Sequence, residues 1–320
     1  DPKEEPKAFV NIMEAFQSME SPVLDAVRIV ICFENYFKAK LLLNNYIIHQ
    51  MNKSVCQTQF PQFLDSRRKR DLVQKTTPIH QAPAIGYGAE TGARSVLGTV
   101  PVEKDGSANF YLPPGKSVYF QALDKNGEAI QSMRSATYVQ GGENISCIGC
   151  HEEKGQAPNP FKNMGRALKR PPSVIEPEVT GSNPLSYPIL VQTVLDKHCT
   201  SCHDGQNKSE HAFDLRAGDW ENDEYKWYTS YRNLHKYAWH HGSLQPGYDL
   251  WLSPRSIPGK VGAKASKLLP LLKSGHKNVI LDKNEMRQIV LWLDCNSDFF
   301  GSYENLEQQA MGHVVHPTLE

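Results

Sequence analysis

Nowhere do eighteen apolar residues follow one another, and the apolar stretch Leu41–Ile48 is broken by Asn44 and Asn45, so no membrane-spanning helix is expected. Neither sign of charge is in excess. The 35 Lys plus Arg balance 35 Asp plus Glu, which leaves no global field to draw the chain to nucleic acid or acidic lipid; partners must be recognised by local patches. A charged-then-apolar leader is also missing, as expected of a chain whose signal peptide has been removed, or of a fragment. Cysteine is scarce, at 7 of 320 residues. Cys32, Cys56 and Cys295 are odd in number and widely scattered, do not form a disulfide framework, and are expected to be thiols.

The remaining cysteines are concentrated in two pentapeptides, Cys147-Ile-Gly-Cys-His151 and Cys199-Thr-Ser-Cys-His203. Two thiols at this spacing reach the two vinyl groups of one porphyrin, and the adjoining histidine turns its imidazole toward the iron. The pattern predicts two covalently attached haem c groups. Cys147, Cys150 and His151 would hold the first, and Cys199, Cys202 and His203 the second, with His151 and His203 as metal ligands. A structural zinc site is the competing reading, but its cysteine pairs usually stand about 15–20 residues apart, and 48 residues separate Cys150 from Cys199. A thioredoxin-like dithiol would need a βαβ context, whereas Cys199 ends a helical pattern.

The sixth ligand must come from the other ten of the 12 histidines or from a methionine. For the second haem, His276 follows Gly275 in a turn between two expected helices, where a side chain can be aimed inward; His240-His241 is the runner-up. For the first haem His80, His211 and Met164 remain open. Two histidine ligands leave no position for substrate and suit electron transfer with a redox partner protein. Covalent haem attachment places the chain in the periplasm or another extracytoplasmic compartment.

The expected fold is multidomain, β plus α: an antiparallel β sandwich or meander followed by a small helical c-type cytochrome domain. Residues 1–83 form a poorly defined N-terminal segment. Residues 84–151 carry the β pattern, with strands at Ser95–Val102, Ser107–Leu112, Lys116–Leu123 and Ala129–Val139. Turn dipeptides between them predict a hairpin across Asp105-Gly106, and the first haem motif follows the last strand. Residues 152–185, rich in Pro and Gly, are expected to be a linker wrapped around the first haem. Residues 186–320 hold a helix from Pro188 to Cys199, an aromatic stretch including Trp220, Trp227, Tyr231 and Trp239, a helix over Ala265–Leu272 bent by Pro270, and a last helix capped by Asp282 and Glu285 with Met286, Ile289, Val290 and Leu293 on its apolar face.

Val96-Leu-Gly-Thr-Val-Pro-Val-Glu103, Asp105-Gly-Ser107, Tyr119–Asp124 and Met133-Arg-Ser135 leading into the first motif resemble the hydrazine synthase alpha subunit family, as do Ser253–Lys260, Gly275-His276 and Leu291–Asn296. The resemblance covers residues 1–30 and 76–320. It implies a β-propeller ahead of this region, of which residues 1–30 would be the last strands, homologous synthase-type subunits as partners, and two histidines on the second haem, which favours His276. Two departures stand out. The family's catalytic haem takes a tyrosine shortly after its motif, and Glu152–Pro160 contains none. Residues 31–74, with the basic run Arg67-Arg-Lys-Arg70, look inserted.

The sequence therefore predicts an extracytoplasmic dihaem electron carrier. The alternative is an oxidoreductase of small nitrogen compounds at the first haem, with Glu152, Glu153 and Lys154 as candidate proton donors or acceptors. A module that merely holds haem is the third class.

Overall fold

The structure, a computed structural model, describes residues 84–87, 92–133, 136–147, 165–206, 213–240 and 258–317, and the backbone alone of Lys7–Asn11, Ala26–Phe33 and Ile148. Among the described residues seven strands form two sheets: β1 Lys7–Asn11, β2 Ala26–Phe33, β3 Ala93–Pro101, β4 Ser107–Tyr111, β5 Val118–Leu123, β6 Ala129–Ser132 and β7 Asn144–Ile148. One sheet has the order β4-β1-β7 and the other β3-β2-β5-β6. Their side chains meet in one apolar cluster. Val100, Val118, Phe120, Ala122 and Ile130 come from one sheet and Ala108 and Phe110 from the other, and Phe110 meets Phe120 edge-on at 5.6 Å.

This is the expected sandwich, with different pairing. The hairpin across Asp105-Gly106 closes only locally, through Glu103 and Ser107; β4 then pairs with β1, and β3 with β2, in separate sheets. The pairing is antiparallel except for β1 with β7. The strand expected over Ala129–Val139 stops at Ser132, and Thr137 returns to bridge Val118. Asp124 fixes the next turn: its carboxylate accepts from the Asn126 and Glu128 amides, and Gly127 takes φ +74.

β1 and β2 are strands of this sandwich, which corrects their assignment to a propeller. The insertion boundary at residue 31 also moves, because Ile31, Cys32 and Phe33 continue β2 opposite Ser95, Arg94 and Ala93. The rest of that segment, with Arg67–Arg70, lies outside the described residues. The described part of the expected linker is a strap. Ser173 exchanges backbone bonds with Asn109 and Tyr111, Glu176 with Thr99, and Ser182 and Leu185 bond Val96 and Arg94. Its prolines block a regular strand, yet the strap satisfies edge groups of β3 and β4 that would otherwise face solvent.

Among the described residues six α-helices follow: α1 Thr193–His198, α2 Thr229–Leu234, α3 Gly262–Ala265, α4 Leu268–Lys273, α5 Lys283–Asp294 and α6 Leu306–Ala310. A π-helical turn, Pro188–Gln192, leads into α1. The single helix expected over Ala265–Leu272 is two, because Ser266 adopts extended backbone between them. Pro270 causes no bend. It sits in the first turn of α4, where its missing N–H is not needed. The α5 capping box forms in full: the Asp282 carboxylate accepts from the Asn284 and Glu285 amides, and the Glu285 carboxylate from the Asp282 amide. Ile289, Val290, Trp292 and Leu293 are buried, each contributing about 1.5–3 kcal/mol as an upper estimate.

The β and helical parts share a core. Ala84, Ile85, Val96 and Tyr119 lie in the same cluster as Tyr187, Tyr231, Trp292 and Phe299. Arg94 of β3 reaches the fully buried Asp298 carboxylate, and Asp294 accepts from the amides of Ala129 and Ala263.

Candidate functional site

Helix α1 delivers the second motif. Its last turn closes when the Cys199 amide donates to Leu195 O at 2.7 Å, and the chain then reverses as the Cys202 and His203 amides both return to Cys199 O. This tight turn ties the backbones of Cys199, Cys202 and His203 to one another. His203 Nδ1 lies 3.1 Å from the Phe213 carbonyl. Donation to that acceptor fixes the tautomer and leaves the Nε2 lone pair for a ligand.

His276 arrives from a distant segment, after α4. Gly275 (φ +74), Lys277 (φ +51) and Asn278 (φ +63) all take left-handed backbone around it, a sharp bend that costs about 1–2 kcal/mol at a residue such as Lys277. The bend carries the His276 ring to 6.1 Å from the His203 ring, centre to centre, with the planes 33° apart. Two imidazoles bound to one metal from opposite faces, each at about 2 Å, have ring centres about 6 Å apart. Phe213 lies 5.4 Å from His203 and stacks on Tyr237. Cys199, Phe213, Tyr237, Leu272 and Leu281 are only partly buried against the core.

Residues 63–152 match the family model described as the hydrazine synthase alpha subunit middle domain. Over these residues the chain is hydrazine synthase alpha-like. Among solved structures it is similar to Kuenenia stuttgartiensis hydrazine synthase, with TM-score 0.53 and 16% identity. The likeness covers 94% of this chain and spans 44% of that one; at this identity it shows the fold alone. No curated protein matches the chain.

In this hydrazine synthase alpha-like chain the first motif starts inside a strand. Cys147 belongs to β7, beyond the strand expected to precede it, and contributes to the sandwich core. Cys150, His151, the candidates Glu152, Glu153 and Lys154, and the possible ligands His80, His211 and Met164 lie outside the described residues. Burial raises the Cys147 thiol above its usual range, and burial with the neighbouring Cys202 takes Cys199 up to about 11. Such thiols stay protonated at neutral pH, unlike those of a reactive dithiol. Among the described residues no three His, Cys, Asp or Glu side chains gather as a metal site.

Three other described histidines are held elsewhere, and His313 and His316 are exposed near the end of the chain. His198 meets Glu285 at 2.9 Å, and His235 stacks on Tyr87 at 4.3 Å. His240, the runner-up, is buried with Nδ1 on the Asn296 carbonyl, and burial first, then His235, lowers it to about 4; its partner His241 lies outside the described residues. Trp227, Tyr231, Tyr187 and Trp292 pack on one another within 5.0–6.5 Å. The Phe213 carbonyl and the left-handed Lys277-Asn278 pair escaped the sequence reading, since neither residue type marks its role.

Proposed function

We propose that this protein is an extracytoplasmic dihaem c-type cytochrome, with one haem c on Cys199 and Cys202 between His203 and His276, and a second on Cys147, Cys150 and His151. The observation that carries this reading is the 6.1 Å separation of the two imidazoles. Among the described residues no third His, Cys, Asp or Glu joins them as a metal site, which favours a macrocycle as the source of the remaining donors over a tetrahedral zinc site. Bound haem c supplies one-electron chemistry. Phe213 O holds the His203 ring in its ligating tautomer, His276 closes the opposite face against substrate, and Phe213 and Tyr237 keep water from the ring edge. Electron transfer follows from that closure. Extracytoplasmic placement rests on the chemistry of haem attachment.

Mass spectrometry of protein made in a maturation-competent host should find two covalent porphyrins. His276→Gly should convert one low-spin haem to a high-spin, carbon monoxide-binding form that added imidazole restores. A colourless preparation, or a His276→Gly spectrum identical to the parent, would refute the assignment.

A second reading is favoured by the family match, which ends on the first motif. Here the protein is a hydrazine synthase-like oxidoreductase of small nitrogen compounds, working with synthase-type subunits, with an open iron position at the His151 haem and Glu152, Glu153 or Lys154 moving protons. Carbon monoxide binding to the unmutated protein supports it. Two wholly six-coordinate haems eliminate it.

A further inference from the structure

The chain as a whole is neutral, yet residues 260–281 contain Lys260, Lys264, Lys267, Lys273 and Lys277 and no Asp or Glu. Two of these are neutralised across the fold. Lys264 Nζ lies 2.7 Å from Asp124 and 2.9 Å from Glu128, and Lys273 also meets Glu128. Lys267 and Lys277 are exposed, and among the described residues no carboxylate meets them. A third exposed lysine joins them from α2's end: Lys236 Nζ stands 5.0 Å over the Phe213 ring. The Lys267 amide donates to Tyr237 O at 3.0 Å, which puts it beside Lys236. Phe213 contacts His203, and Lys277 is next in sequence to His276, so the three lysines belong to segments that flank the imidazole pair.

Most of the neighbouring acids are engaged: Asp282 caps α5, Glu285 meets Lys197 and His198, and Asp214 pairs with Arg216, while Asp204 beside His203 accepts from the Gln206 amide. Among these charges lies apolar surface, since Ile280 is 83% exposed and Leu271 36%. An apolar centre rimmed by unneutralised charge is the composition of a transient protein interface, where the apolar atoms give contact and the rim sets on-rate and partner choice.

We propose that Lys236, Lys267, Lys277 and Ile280 form the docking face on which an acidic one-electron carrier protein meets the His203–His276 site. This rests on the haem assignment proposed above. In the encounter the reduced carrier loses one electron and ferric iron between the two imidazoles becomes ferrous, with no bond to carbon, nitrogen or oxygen made or broken. Lysines around the ring edge attract the carrier's carboxylates, and Ile280 gives it a dry point of contact close to His276.

The test uses the oxidised holoprotein in stopped flow, with reduced flavodoxin as an acidic one-electron donor and photoreduced lumiflavin as a small neutral one. The flavodoxin rate should fall about tenfold or more from low to high salt, and Lys236→Glu, Lys267→Glu and Lys277→Glu together should lower it about tenfold at low salt. In the Lys236→Glu, Lys267→Glu double variant, which leaves the bend around His276 untouched, the lumiflavin rate, the Soret band and thermal unfolding should not change, and Lys277→Glu alone should give part of the flavodoxin effect. A salt-independent flavodoxin rate, an unaffected triple variant, or an equal loss with lumiflavin would overturn the docking face. So would triple-variant loss of binding to phosphatidylglycerol vesicles with the flavodoxin rate intact, which assigns the lysines to a lipid surface. Protein that lumiflavin cannot reduce strikes at the haem assignment itself; protein that lumiflavin reduces while flavodoxin ignores its charge strikes at the docking face alone.

Discussion

Glu285 does three things with one carboxylate. It accepts from the Asp282 amide, completing the α5 capping box, and it meets Lys197 and His198 of α1, so the helix that carries Cys199 is tied to the start of the last helix. The Lys197 hydrogen bond first, then the Asp282 amide and His198, hold its carboxyl at about 2, against an ordinary 4.5. Because the folded pKa is depressed, the stabilisation is complete above about pH 4.5 and is lost as pH falls through about 2. Glu285→Ala should cost about 1 kcal/mol at neutral pH, and the difference from the parent should vanish near pH 2, as read from urea midpoints across that range. The cap was legible in the sequence because Asp and Glu three positions apart before an apolar run have a local meaning. The links to Lys197 and His198 were not, being 88 and 87 residues away.

Among the elements, β3 depends on a glycine for a tertiary reason. Gly98 has φ +139, and a Cβ there would stand 2.1 Å from Glu176 O. That carbonyl accepts the Thr99 amide, and the Glu176 amide donates back to Thr99 O; the strap is thus bonded to β3 where a side chain would push it away. Gly98→Ala should cost about 2 kcal/mol or more by combining unfavourable φ with a backbone clash, and should lower the urea midpoint without changing the slope. Strand positions β3 to β5 could be placed from alternation and turn residues. Their partners could not, because β1 and β2 insert between them from distant sequence, and the strap's Pro-rich composition resembles a free linker until an edge is there to receive it.

For the molecule as a whole, the Arg94–Asp298 pair matters most to how the sheet part and helical part act together. Both side chains are buried, and Arg94 also donates to the Tyr119 hydroxyl. Asp298→Asn leaves the guanidinium buried without its counter-charge and should cost about 3–5 kcal/mol, whereas Arg94→Met with Asp298→Leu should recover much of that loss. A single cooperative thermal transition, shifted down in the single variant and largely restored in the double, is the expected record.

By itself the sequence determined the local chemistry. Cysteine and histidine spacing marked the two pentapeptides, Gly275 marked a turn able to present His276, and Asp282 with Glu285 set where α5 begins, because each signal acts within a few residues of backbone. Tertiary structure decided what only distant segments can decide: which strands pair, that the strap has an edge to bind, that His276 rather than His240 stands beside His203, and that Phe213 supplies its carbonyl. Such contacts come from burying sheets and helices against one another, and no periodicity along the chain encodes which surfaces meet.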